Sequence, residues 1–135
     1  MTHTASMLRL APYRPTIDEE ALVRCIDACT DCAQTCTACA DACLGEASVA
    51  HLVTCIRLNL NCADVCVATA AVLSRAGGNA TDATTLVEAC AAACRACAEE
   101  CDRHASIHEH CRVCAEACRN CEEACKTLFA MAPTR

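Results

Sequence analysis

The chain has 135 residues, a net charge of −6 from 17 acidic and 11 basic side chains, and only one Phe and one Tyr. Nucleic-acid binding usually requires basic patches and stacking aromatic side chains, so this composition argues against it. The apolar runs fall short of the roughly 18 residues that a membrane span requires. Residues 1–15 also lack the apolar core of a secretory signal. We therefore expect one cytosolic domain that binds neither nucleic acid nor membrane.

A row of cysteines defines the first predicted helix. Spacings that alternate between three and four residues keep side chains on one face of an α-helix. Thr16 and Glu19 form a potential capping box at the start, and Gly45 follows the last cysteine. The pattern predicts a helix over residues 16–44. Its sulfurs are Cys25, Cys29, Cys32, Cys36, Cys39 and Cys43.

The second predicted helix carries fewer sulfurs. It covers residues 48–75 and ends where Gly77, Gly78 and Asn79 interrupt the helical pattern. Asn59 stands where the spacing would place a further cysteine. We expect this side chain either to set the helix register or to supply a weak oxygen ligand. The sulfurs of this helix are Cys55, Cys62 and Cys66.

A slip in the cysteine pattern separates the third and fourth predicted helices. The spacing continues from Cys90 to His108, but it changes phase after Cys111, so we expect a turn at residues 105–108. The third helix begins between residues 81 and 85, and the fourth ends near Met131. Together they carry Cys90, Cys94, Cys97, Cys101, Cys111, Cys114, Cys118, Cys121 and Cys125.

These elements predict an all-α fold, an antiparallel four-helix bundle, because short connections place successive helices side by side. We assign the Cys-rich bundle to residues 16–132 and an N-terminal extension to residues 1–15. Leu, Ile, Val and Phe together number only 23, too few to fill the core. A free cysteine packs as a small buried hydrophobe. The sequence therefore predicts a core lined by thiols.

The two ends of this bundle are expected to differ. One end collects Cys43 and the imidazoles of His51, His104, His108 and His110. The other collects the side chains of Leu22, Ile26, Val72, Leu73, Leu86, Val87, Leu128 and Phe129. The pattern predicts an aliphatic plug opposite an open mouth.

The histidines divide by their position on the cysteine stripe. His104 and His108 fall on the inward face, so we expect them to be metal ligands or to pass ions inward, since imidazole is a common ligand of transition metals. His51 and His110 lie off the stripe and are expected to be solvated.

A column of thiols suits a soft monovalent ion. Thiolate ligands must lose their protons, and up to 18 buried negative charges are prohibitive unless the metal cancels them. Four thiolates around Zn²⁺ leave a negative charge at each site. Bridging thiolates with Cu(I) are neutral at about one ion per sulfur. We therefore expect multiple Cu(I) ions per chain, bound by the cysteines together with His104 and His108.

Other functions fit this pattern less well. Disulfide scaffolds are typical of secreted chains with little regular structure. The compact cysteine loop that binds iron–sulfur clusters is absent. A thiol redox enzyme requires one or two activated cysteines, and no cysteine here stands out. The alternatives to a non-enzymatic Cu(I) store are binding of another soft metal, such as Ag(I), and a thiol redox protein.

The repeated CxxxCxxC spacing resembles that of the four-helix-bundle copper storage protein family, and most closely its cytosolic branch. The resemblance covers about residues 17–131. It implies a bundle whose core binds many Cu(I) ions through cysteine, assembly into a homotetramer, and storage or detoxification of cytosolic copper. Exported relatives carry a twin-arginine signal, which this chain lacks. A copper chaperone is a candidate partner.

Overall fold

A computed structural model describes residues 2–75 and 83–131. Over these ranges it contains helices and no strand, so the predicted all-α class is confirmed. The predicted breakers Gly77, Gly78 and Asn79 lie outside the described residues. The helices are α1 (Thr4–Leu10), α2 (Glu19–Leu44), α3 (Val53–Ser74), α4 (Thr84–Asp102) and α5 (Glu109–Met131), with a 3₁₀ turn at Val49–His51 before α3.

The four long helices form the bundle. α2 packs against α3 and α5, and α4 packs against the same two helices. Each long helix therefore has two neighbours, and the helix faces that carry cysteine meet in the centre. All eighteen cysteines are buried. Because Cys occupies the positions that Leu holds in an ordinary bundle, sulfur fills the core.

Two predicted helix starts are wrong, and one predicted turn is confirmed. α2 starts at Glu19 and is capped by Asp18, whose carboxylate accepts a hydrogen bond from the Ala21 backbone N–H at 2.9 Å. A carboxylate at this position also interacts favourably with the helix dipole, which explains why Asp18 rather than Thr16 caps the helix. Residue 48 precedes the 3₁₀ turn rather than α3. The turn between α4 and α5 falls at residues 103–108, where the cysteine pattern changes phase.

The N-terminal extension contains a helix of its own. α1 packs on α2 and inserts Leu8, which is 6% exposed, beside the bundle. The Thr4 hydroxyl donates a hydrogen bond to the Asp27 carboxylate at 2.6 Å. Arg9 pairs with Glu19 at 3.2 Å. The extension is therefore held to the bundle by one buried leucine and by polar contacts at its two ends.

The sequence predicts that the aliphatic side chains gather at one end of the bundle, and α1 lies beside one of them, Ile26. Val72 packs partly buried against the core and Leu86 is half-buried. The side chain of Phe129 lies outside the described residues. The buried members of this end are Leu22, Ile26, Leu73, Val87 and Leu128.

In the described ranges, α3 alone is long and apolar enough to cross a membrane by length and composition, with a mean hydropathy of 1.4. A helix in the core of a bundle passes the same test. Besides its cysteines and its buried or partly buried aliphatic residues, α3 carries three exposed aliphatic side chains. The exposed fractions are 50% for Val53, 46% for Leu60 and 59% for Val67.

Candidate metal centre

The inward face of α3 shows how the core is built. Seven buried positions follow one another at alternating spacings of three and four residues, beginning just before the helix and ending at its last turn. Leucines stand at both ends of this row, and sulfur or a small polar group stands between them. The residues are Leu52, Cys55, Asn59, Cys62, Cys66, Thr69 and Leu73.

The sulfur atoms lie close together along the core. Neighbouring Sγ atoms are separated by 3.5 Å between Cys36 and Cys118 and by up to 4.0 Å between Cys62 and Cys66. These separations are far longer than the roughly 2.05 Å of a disulfide bond, and all eighteen cysteines are free. Thiols from all four long helices therefore lie in van der Waals contact without a covalent link.

Groups of four sulfurs can each surround one ion. In each group the four Sγ atoms lie within 4.8 Å of one another. Cys36 and Cys118 belong to two such groups at once. A sulfur that belongs to two groups can bridge two ions. Examples of these groups are Cys29, Cys90, Cys121 and Cys125; Cys32, Cys62, Cys66 and Cys94; Cys32, Cys36, Cys62 and Cys118; Cys36, Cys97, Cys114 and Cys118; and Cys39, Cys43, Cys55 and Cys111.

Asn59 replaces a sulfur within the column. Its side chain is fully buried. The Asn59 Oδ1 atom accepts S–H hydrogen bonds from Cys97 at 3.0 Å and Cys114 at 3.1 Å, with Cys101 at 3.5 Å. Its amide nitrogen donates to the Cys55 sulfur at 3.7 Å. The amide therefore connects α3 with α4 and α5 inside the thiol core.

Carboxylates hold His104 and His108 near the other end of the column. His104 Nε2 lies 2.9 Å from the Glu100 carboxylate. His108 lies between Glu46, 3.1 Å from Nδ1, and the Ser48 hydroxyl, 3.2 Å from Nε2. Neither imidazole makes a hydrogen bond to a sulfur atom in the described part of the chain. Both lie close to the column, but their observed partners are oxygen atoms.

His110 makes the contact with sulfur. Its Nδ1 atom lies 3.4 Å from Cys39 Sγ and 3.7 Å from Cys111 Sγ, and its Nε2 atom lies 2.9 Å from the Glu46 carboxylate. The expectation of a solvated His110 is therefore wrong, whereas His51 is exposed as expected. His110 directly precedes Cys111 in the first turn of α5 and leans toward α2. Adjacency to a cysteine at a helix start was the signal in the sequence.

Burial and hydrogen bonding determine the protonation states of the thiols and of His110 at this end of the column. Burial raises the pKa of Cys43 to about 12 and raises that of Cys111 as well, because the thiolate is poorly solvated there. Burial opposes the protonation of His110, but hydrogen bonds to Cys39 and Glu46 outweigh it and raise its pKa. The hydrogen bond from His110 lowers the pKa of Glu46. Cys43 and Cys111 are therefore neutral thiols at neutral pH.

A bundle with a continuous core of free thiols defines a class of protein, a helical binder of soft metal ions. Cu(I) is a soft metal ion, and thiolate sulfur is its preferred ligand. The profile of the copper storage protein family matches residues 18–130. The chain belongs to the copper storage protein family, whose members store the metal rather than catalyse a reaction on it.

Solved structures give the same assignment. The copper storage protein Ccsp from Streptomyces lividans, loaded with 10 copper equivalents, is 56% identical with a TM-score of 0.91, and the match covers 95% of this chain and 98% of that one. A cytosolic copper storage protein from the same organism, with five coppers, is 62% identical with a TM-score of 0.79, covering 82% and 93%. Cu(I)-bound BsCsp3 is 38% identical with a TM-score of 0.68, covering 77% and 93%. No curated protein sequence matches the chain.

Proposed function

We propose that this protein sequesters many Cu(I) ions in the cytosol, protecting the cell from the free metal and holding copper for later use. The observation that carries the proposal is the overlap of the four-sulfur groups, since Cys36 and Cys118 each belong to two groups at once. Isolated metal sites would require gaps between sulfur groups. Shared sulfurs instead favour bridged Cu(I)–thiolate clusters that are neutral as a whole.

The ligands of the proposed store are the eighteen cysteines. The imidazoles at the histidine end of the column, which carries His104, His108 and His110, are further candidate ligands. We retain His104 and His108 as candidate ligands that can bind copper after leaving their carboxylate partners, and we add His110. A histidine that ligates a metal usually donates its other N–H to a carboxylate. His110 has this arrangement, with Glu46 at Nε2 and Cys39 at Nδ1. The storage unit in this proposal comprises residues 16–132.

Anaerobic titration of the reduced protein tests the storage function. With bridging thiolates we expect about one Cu(I) per cysteine, measured against a chromophoric chelator of known affinity, whereas isolated tetrahedral sites would hold only about four ions. Far-ultraviolet circular dichroism should show a helical protein both with and without metal, because thiols alone pack the core. Saturation near four ions would refute the bridged store. Parallel titration with Ag(I) separates a preference for copper from a general affinity for soft ions.

We also propose that the chain assembles into a homotetramer. Val53, Leu60 and Val67 lie at seven-residue spacing on the outer surface of α3 and are 46–59% exposed. Such a line of apolar side chains is typical of a helix that packs against a partner. Light scattering should give the mass of four chains, and Leu60→Glu with Val67→Glu should lower it. Val113→Glu, on α5, is the matched control.

A protein chaperone that carries Cu(I) on cysteine thiolates is the partner that this chemistry suits best. The ion would then pass between like ligands, with little change in affinity per bond. Mixing the apo protein with such a loaded carrier and separating the two by size should show copper on the storage protein. Retention of all the copper by the carrier would exclude this route of delivery.

A further inference from the structure

The outer face of α3 carries charges as well as apolar side chains. Val53, Leu60 and Val67 are 50%, 46% and 59% exposed. At about 100° per residue, their stripe lies on the opposite side of the helix from the buried sulfur row. Arg57 and Asp64 are the charged residues of α3. Both are exposed, and the same helical period places them on this stripe. The stripe therefore offers an apolar line with one charge of each sign.

The pattern of the stripe is symmetric about Leu60. Val53 and Val67 lie seven residues before and after Leu60, whereas Arg57 lies three residues before it and Asp64 four residues after it. Reversing the helix direction about Leu60 therefore exchanges the two valines with each other and, within one residue, the arginine with the aspartate. A two-fold interface between identical chains requires this kind of self-complementary surface. The stripe thus fits a second, antiparallel copy of α3.

The two charges select the direction of such a pair. In a parallel pair, Arg57 would face Arg57 of the partner subunit and the two Asp64 side chains would also meet, and facing like charges are unfavourable. In an antiparallel pair, Arg57 faces Asp64 of the partner subunit, and the symmetry creates this contact twice. Neither side chain makes an ion pair within the described ranges of the chain. Both charges are therefore available to a partner.

We propose that two copies of this chain pair through antiparallel α3 helices, with the two-fold axis beside Leu60 and reciprocal ion pairs between Arg57 and Asp64 of the partner subunit. The inference rests on the proposed homotetramer and assigns one of its interfaces, since a tetramer with dihedral symmetry joins two such pairs through a further surface. The apolar side chains supply the affinity, because exposed ion pairs contribute little. The ion pairs fix direction and register. The histidine ends of the paired subunits then point in opposite directions.

Charge reversal tests this register. Arg57→Asp would bring two carboxylates together at both ion pairs, and Asp64→Arg would bring two guanidinium groups together. By sedimentation at low salt, where exposed charges are least screened, each single variant should have half the mass of the unmodified assembly or less. An equimolar mixture of the two variants should recover the full mass, because one chain then supplies only carboxylates and the other only guanidinium groups. Arg95→Asp makes the same charge change on α4, where Arg95 is exposed, and should leave the mass unchanged.

Unchanged mass in both single variants would overturn the proposed register, as would a mixture that stays at the mass of its separate components. Far-ultraviolet circular dichroism should show the same helix content in all variants, so that a loss of mass reports the interface rather than unfolding. A monomeric unmodified protein would refute the assembly itself. A low copper capacity would refute the storage function and leave the sedimentation results as they are, so these failures are distinguishable.

Discussion

The Asn59 side-chain oxygen lies 3.0 Å from the sulfur of Cys97 and accepts its S–H hydrogen bond. Cys114 donates to the same oxygen at 3.1 Å. Only protonated thiols can donate in this way, so this network belongs to the metal-free state. When Cu(I) replaces these protons, the oxygen loses its donors and faces negative sulfur instead. Metal loading therefore requires Asn59 to coordinate an ion or to turn away.

Replacing Asn59 should destabilise the metal-free protein more than the loaded one. Asn59→Ala leaves two or more buried S–H groups without an acceptor, which should lower the free energy of unfolding by about 1–3 kcal/mol. Denaturant unfolding of the reduced protein measures this. Asn61→Ala is the control, because Asn61 is exposed on the same helix and its loss should change stability by less than about 0.5 kcal/mol. The same penalty with and without copper would contradict the assigned role of these hydrogen bonds.

Copper loading should release protons. Burial raises the pKa of Cys43 to about 12 and also raises that of Cys111, so both thiols are protonated well above neutral pH. A buried thiolate far from positive charge is poorly solvated, so we expect most thiols of the core to be neutral before loading and about one proton to be released per ion. Titration in weak buffer with a pH electrode measures the release. Because protons compete with copper, the apparent affinity should fall as the pH falls. Proton release well below this ratio would mean that thiolates are present before loading.

A substitution in the aliphatic end of the bundle should lower the stability of the protein without lowering the number of Cu(I) ions that it binds. Leu73 is fully buried, and Leu73→Ala should cost about 2–5 kcal/mol through the cavity that it leaves. Leu44→Ala provides the comparison, since Leu44 is 61% exposed at the end of α2. Thermal unfolding of the apo protein measures the difference, and chelator competition measures copper. A loss of several ions in the Leu73 variant would show that this end also contributes to binding.

Removal of His110 should change the rate of loading more than the final amount of copper. His110→Ala removes one nitrogen ligand beside Cys39 but no sulfur, so capacity should fall by about one ion at most. His51→Ala is the matched control, because His51 is exposed. Stopped-flow loading followed by equilibrium titration gives both quantities. Identical kinetics in the two variants would leave His110 without a function in uptake.

The helices and their inward faces could be predicted from spacing alone, because the period of an α-helix decides which side chains share a face. Cys25 to Cys43 required no further information, and the phase change near Cys111 located the turn. His110 could not be assigned in this way. Its position depends on how the first turn of α5 lies against α2 and on Glu46, which lies in the loop after α2. The packing of a helix start against a distant loop is not encoded in the periodicity of either helix.

The position of Leu52 at the end of the α3 row could not be predicted for a similar reason. Leu52 lies before the start of α3. The sequence predicts a helix start near residue 48, which would place Leu52 inside the helix like its neighbours. Once α3 begins at Val53, Leu52 is the residue that covers the end of the cysteine row. The start of α3 therefore determines which residue ends the row.

The shared sulfurs have a consequence for how copper moves after it is captured. Cys36 and Cys118 belong both to a group with Cys32 and Cys62 and to a group with Cys97 and Cys114. An ion held in the first group already touches two ligands of the second, so it can migrate by exchanging one sulfur at a time and is never released into solvent. Ions in a partly filled core can therefore redistribute along the axis, and a single entrance is sufficient to fill the most distant sites.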